Sequence, residues 1–171
     1  MMTIGIVPAG ITELHTDAVV NAANEGLRQG SGVCGAIFAA AGAAELQAAC
    51  AAIGHCDTGS AVITPAFRLN AKYIIHAVGP VWQGGKHGEA EKLYGAYRAA
   101  LRLAAEHGCR SVAFPLISAG IFGYPLQQAW EQALFACRRF YEDFPETEME
   151  ILFAVPAEEN RRVGQRLLEE K

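Results

Sequence analysis

The chain has 171 residues and a net charge of −4, with 51% of residues hydrophobic and 19% charged. These proportions describe a globular chain long enough to bury its own core, expected as a single domain over residues 1–171. No run approaches the roughly 20 apolar residues of a membrane span, and no basic excess exists for an indiscriminate grip on nucleic acid.

The opening "MMTIGIVPAG" has neither a basic start nor a long apolar stretch with a cleavage site, so the expected location is the cytoplasm. Strand-like runs follow in order at "TIGIV" (3–7), "DAVVNAA" (17–23), "SAVIT" (60–64), "KYIIHAV" (72–78), "SVAFPLI" (111–117) and "EILFAV" (150–155). Between them lie helical runs. One begins near Val33 and continues to about Ile53, broken at Gly42. A second lies between Gly88 and His107, where Leu93, Tyr97, Ala100, Leu101 and Ala104 form one apolar stripe and Gly108 is the stop. A third opens at Pro125 and carries Ala129, Trp130, Ala133, Leu134, Cys137 and Phe140 on one side. The last spans about 158–170. The alternation predicts a three-layer α/β/α fold around a mixed, largely parallel sheet of about six strands.

In such sheets the ligand crevice lies beyond the carboxyl ends of the strands. Two glycine-rich arcs leave a strand there and open a helix: "NAANEGLRQGSGVCGAIF" (21–38) and "SAGIFGYP" (118–125). Glycine lets the backbone approach a ligand closely, and a helix N-terminus offers unpaired N–H donors, so two facing arcs could hold a diphosphate without a lysine. The stretch "GSGVCG" (30–35) reads literally as G-x-G-x-x-G, but a dinucleotide fingerprint needs its glycines directly after the first strand and an acid about 20 residues on. Here residues 21–29 intervene, and the nearest downstream acid before the next strand is Asp57. A glycine-rich P-loop is also excluded, because no G-K-[ST] follows either arc.

Five segments in order resemble the macrodomain family: "DAVVNAAN" (17–24), "GSGVCGAIFAAAG" (30–42), "TGSAVIT" (58–64), "KYIIHAVGPVW" (72–82) and "SVAFPLISAGIFGYP" (111–125). The resemblance implies a ligand such as ADP-ribose or an ADP-ribosylated protein, and a hydrolase of O-acetyl-ADP-ribose or ADP-ribosyl esters. By resemblance Asn24 orients the distal ribose, and Gly30, Gly32, Val33 and Cys34 offer backbone to phosphates or that ribose. Ser118, Ala119, Gly120, Ile121 and Phe122 form the opposite half of the cradle. Asn21 is expected as a hydrogen-bonder fixing the first loop and near the ligand, and Ile11 and Pro156 at the base.

Four positions depart from the family pattern. Cys34 stands where hydrolytic relatives carry an aspartate, and Phe38 where they commonly carry a histidine. Gly10 replaces an aspartate that bonds the adenine amino group, and Pro156 replaces an aromatic. Cys34 reads either as a small side chain packed beneath the loop or as a reactive thiol at a helix N-terminus. Three functions remain open: a hydrolase, a non-catalytic ADP-ribose-binding module, and a macrodomain of altered base specificity.

The remaining features are structural expectations. The five cysteines are scattered without a C-x-x-C pair, so no disulfide framework or zinc knuckle is expected. His76 is expected as a hydrogen-bonded core histidine; His15, His55, His87 and His107 stand apart, and neither a metal nor a cofactor is expected. Asp17 reads as a hydrogen-bonder fixing a loop, and Trp82 as core.

Overall fold

The computed structural model describes residues 1–170. Its strands are β1 (Met2–Val7), β2 (Ala18–Ala22), β3 (Ala61–Pro65), β4 (Tyr73–Ala77), β5 (Ser111–Phe114) and β6 (Met149–Ala154). Its helices are α1 (Gly32–Ala41), α2 (Ala43–Ile53), α3 (Glu89–Glu106), α4 (Leu126–Asp143) and α5 (Glu158–Glu169). The strands form one sheet in the order β1-β6-β5-β2-β4-β3. Every pairing is parallel except that of β3, which runs antiparallel on the outer edge of β4. This is the three-layer, largely parallel arrangement that the alternating periods predict.

Strand alternation divides the core between the two faces of the sheet. Val20, Ile75, Val112, Phe114, Ile151 and Phe153 point to one face, under α3, α4 and α5. Val19, Ile74, Ala113 and Ala154 point to the other, under α1 and α2. The first face is aromatic: Phe114 stacks on Phe153 with centroids 5.6 Å apart, and Trp130 lies 5.2 Å from Phe153. The second face is built of small and aliphatic side chains, and α1 and α2 are bent by 110° at Gly42 to cover it. No single helix is long and apolar enough to cross a membrane.

Two strand ends matter for what lies above them. The expected run 111–117 stops as a strand at Phe114, because Pro115 has no N–H to give to a ladder. The backbone groups freed there are taken up by the fully buried Tyr97, whose hydroxyl accepts from Ile117 N at 2.8 Å and donates to Pro115 O at 3.4 Å. Asp17 fixes the entry of β2: its carboxylate accepts from Arg110 N at 2.8 Å, and its N–H donates to Ser111 Oγ at 2.8 Å.

Helix α5 is seated by Trp130, whose indole Nε1 donates to Asn160 O at 2.9 Å. A Cβ on Gly164 would stand 2.5 Å from the Trp130 ring, so only glycine lets α5 approach α4 this closely. Gly164→Ala is expected to destabilise the fold by about 1–3 kcal/mol, read as a lowered urea midpoint. A variant as stable as the parent would contradict this packing.

Candidate functional site

Strand β5 lies between β6 and β2, so the loops after these three strands meet at one end of the sheet. They enclose a cavity of about 580 Å³. Along the β2 side its wall is Ala22, Ala23, Asn24 and the start of α1, from Gly30 through Ser31, Gly32 and Val33 to Cys34. The middle is the β5 loop, with Pro115, Leu116 and residues Ser118, Ala119, Gly120, Ile121 and Phe122. The β6 side is closed by Ala154, Val155, Pro156, Ala157 and Asn160. None of these residues is acidic, basic or a histidine. Two strand spacings separate β2 from β6, roughly 10 Å, so an elongated ligand would cross the β5 loop from side to side.

What the cavity offers an anion is backbone. The first N–H groups of α1, at Gly32, Val33 and Cys34, have no acceptor within the helix. Ser31 stands at the N-cap yet makes no capping hydrogen bond. Across the cavity, Ala119 N bonds Leu116 O, Gly123 N bonds Gly120 O and Tyr124 N bonds Ser118 O, all within the β5 loop. Among the described residues, no hydrogen bond uses the N–H groups of Gly120, Ile121 or Phe122. Two sets of unpaired donors thus line one uncharged cavity, the condition for holding phosphate oxygens by backbone alone.

Both loops are held in place from below. In the first, the Asn24 amide clasps Arg28: Nδ2 donates to Arg28 O at 2.8 Å and Oδ1 accepts from Arg28 N at 3.0 Å. This leaves one donor and one acceptor site of Asn24 for a ligand. A Cβ on Gly35 would meet Gly30 O at 2.6 Å, so the last glycine of "GSGVCG" serves the closeness of its own loop. The Cys34 thiol is buried, reaches the cavity wall, and donates to Arg28 O at 3.7 Å.

In the second loop, Ser118 adopts a left-handed conformation with φ +67°, which costs a non-glycine residue about 1–3 kcal/mol. Its hydroxyl packs against Gly79 and is buried without a partner. Trp82 N donates to Phe122 O at 2.8 Å, and the Trp82 ring meets Tyr124 edge-on at 4.8 Å. Trp82 is half-buried, packed against the edge of the core as expected, and from there it braces the loop. The segment after it is fixed by Glu89, whose carboxylate accepts from Gln83 N, Gly85 N and His87 N at 2.8, 2.9 and 2.6 Å. Burial opposes its charge, but these N–H donors hold the Glu89 carboxyl down at about 2.

A family model described as Macro domain matches residues 20–133. A macro domain-containing protein of Chlorobaculum tepidum is 53% identical over 140 residues, 82% of this chain and 81% of that protein. The chain belongs to the macro domain family. A Salmonella gallinarum protein named O-acetyl-ADP-ribose deacetylase is 49% identical, over 95% of this chain and 92% of that one. Among solved structures, the Oceanobacillus iheyensis macrodomain with ADP is similar with a TM-score of 0.89 and 34% identity, covering 96% of this chain and 88% of that one. The Trypanosoma brucei macrodomain in complex with ADP-ribose gives 0.88 and 36%, covering 96% and 68%.

Two residues expected at the ligand do not line the cavity of this macro domain. Ile11 sits in the short 3-10 turn Ile11–Glu13, and its side chain turns into the core beneath α1, 5% exposed. Asn21 is an interior residue of β2 pointing to the face under α1 and α2, where neighbouring strands bury it. Its Nδ2 donates to His76 Nδ1 at 3.0 Å, and its Oδ1 is buried without a partner. Since Nδ1 accepts, the neutral imidazole carries its proton on Nε2 and donates to Thr64 Oγ1 at 3.0 Å, which in turn donates to Pro65 O at 3.0 Å. Phe38 is also buried.

Sequence reasoning missed Asn160, which comes from α5 and whose place at the cavity follows only from how α5 docks. It also separated residues that the fold unites. His55 Nε2 lies 2.7 Å from Asp57 Oδ1, and Glu25 joins them with all three ligand atoms within 4.8 Å, on the exposed surface beside the first loop. The five cysteines are all buried with free thiols.

The His76 chain gives a pH prediction. Burial lowers the imidazole from its ordinary value to about 4. Between about 6.5 and 4 the unfolded chain binds a proton there that the folded chain refuses, so stability falls as pH falls through this window and levels off below it. From pH 7 to pH 5 this group alone is expected to cost about 2 kcal/mol. His76→Gln should lose less urea stability than the parent over that interval by about this amount. Equal losses would exclude the assignment.

Proposed function

We propose that this macro domain binds ADP-ribose and releases it from O-acetyl-ADP-ribose or a related ADP-ribosyl ester. The observation that carries the reading is the pair of unpaired N–H sets at one uncharged cavity, one at the start of α1 and one in the β5 loop. A diphosphate bound there lies over the middle strand, with one sugar toward Asn24 and the nucleoside toward the β6 side. The bound nucleotides named for the Oceanobacillus and Trypanosoma macrodomains and the activity named for the Salmonella relative support the same ligand class.

The chemistry has to proceed without a protein base, because no carboxylate, imidazole or amine lines the cavity. A water held between Asn24 and a diphosphate oxygen adds to the acyl carbon, and the phosphate oxygen accepts its proton. Collapse of the tetrahedral intermediate breaks the acyl–oxygen bond. The ribose oxygen leaves and takes up a proton, giving ADP-ribose and the free acid. Cys34 is positioned by its loop and takes no part in this step.

The neutral lining also favours a second reading, a binding module that holds ADP-ribose without turnover. Calorimetry with ADP-ribose and an assay of acetate release from O-acetyl-ADP-ribose separate the two. The hydrolase reading expects turnover above the uncatalysed rate, and Asn24→Ala lowering kcat/KM by about tenfold or more. Cys34→Asp supplies a carboxylate at the cavity wall and is expected to raise kcat by roughly a hundredfold. Saturable binding with no acetate released would leave the binding module, and absence of both would remove the ADP-ribose reading.

A further inference from the structure

The β6 end of the cavity differs in character from the rest, and its composition bears on which base the ligand carries. Its walls are Pro115, Leu116, Val155, Pro156 and Ala157, small and apolar surfaces suited to the faces of a planar ring. Its backbone acceptors are already engaged: Arg161 Nη1 donates to Val155 O at 3.0 Å and to Pro156 O at 2.5 Å. Val155 N is likewise spent on Val7 O at 3.0 Å. One polar side chain remains at this end, Asn160. Its own carbonyl is tied to Trp130, which fixes the residue in place, while its side-chain amide makes no hydrogen bond among the described residues. A half-buried amide on an apolar wall is a group whose hydrogen bonds a ligand would complete.

We infer that Asn160 reads the polar edge of the base, and that the cavity accepts diphosphoribose nucleotides of hypoxanthine as readily as those of adenine. The inference rests on the diphosphoribose reading given above. The reason is the symmetry of the amide. Oδ1 accepts from an exocyclic amino group such as that of adenine, and after rotation about the last side-chain bond Nδ2 donates to a ring carbonyl such as that of hypoxanthine. In either orientation the other amide atom meets ring position 1, a bare nitrogen in adenine and an N–H in hypoxanthine, so both edges take two hydrogen bonds. The Glu13 carboxylate lies with its Oε1 3.5 Å from where a Cβ on Gly10 would stand, and neither Glu13 nor Gly10 lines the cavity.

The test is the ratio of two affinities, measured by calorimetry with ADP-ribose and its hypoxanthine counterpart, inosine diphosphate ribose. The sugars and phosphates are identical, so the ratio reports the base alone and is insensitive to partial loss of folded protein. The parent is expected to bind both within about threefold. Asn160→Leu should weaken both nucleotides by about tenfold while keeping the ratio near one. A parent that prefers adenine more than thirtyfold, or an Asn160→Leu variant that binds both nucleotides as tightly as the parent, overturns the inference. So does a ratio that shifts on Glu13→Gln. In these cases ADP-ribose still binds and the wider reading stands; binding of neither nucleotide removes that reading itself.

Discussion

An uncharged cavity can hold an anion only if backbone N–H groups are left unpaired, and the rest of this structure depends on keeping them so. A loop free to relax would satisfy its donors internally, because an unpaired backbone donor shielded from water costs free energy. The cavity contains two such sets, one at the start of α1 and one in the β5 loop. Neither set can reach an acceptor without leaving its place, and several separate contacts prevent that.

Each contact has its own origin in the fold. The first loop is closed by the two-way clasp between the Asn24 amide and Arg28, and tightened by the approach of Gly35 to Gly30. The second begins where Pro115 ends β5, is tied to the core by the Tyr97 hydroxyl, and passes through the strained Ser118. It is then braced by Trp82, whose own segment is pinned by the Glu89 carboxylate. A residue at the head of α3 therefore supports the β5 loop through a chain of hydrogen bonds. The β6 side rests on a different support, the seating of α5 on Trp130.

Much of this was legible in the sequence for a simple reason. The strands on both sides of the cavity are short apolar runs bounded by Gly, Pro or Asp, and the two arcs leave their carboxyl ends directly. What misled was sequence proximity. Asn21 stands three residues before Asn24, but strand alternation sends it to the face under α1 and α2, into hydrogen-bonded contact with His76. Ile11 precedes a loop end, but a 3-10 turn folds its side chain inward. Asn160 lies in a charged stretch that reads as an exposed helix face, and the Glu25, His55 and Asp57 group draws on segments some thirty residues apart.

The sequence by itself determined the alternation of strand and helix, the two glycine arcs and the absence of a charged residue from them apart from Glu25 and Arg28, because these are local matters of period, backbone freedom and composition. It also determined the family, through motifs whose order and spacing survive in one dimension. Only the tertiary structure decided that β5 lies between β2 and β6, and so which loops face one another across the cavity. It decided too that Asn160 and not Ile11 reaches the far end. Strand order and helix docking are set by side-chain packing between segments far apart in the chain, here the aromatic layer around Phe114, Trp130 and Phe153, and no local pattern carries that information.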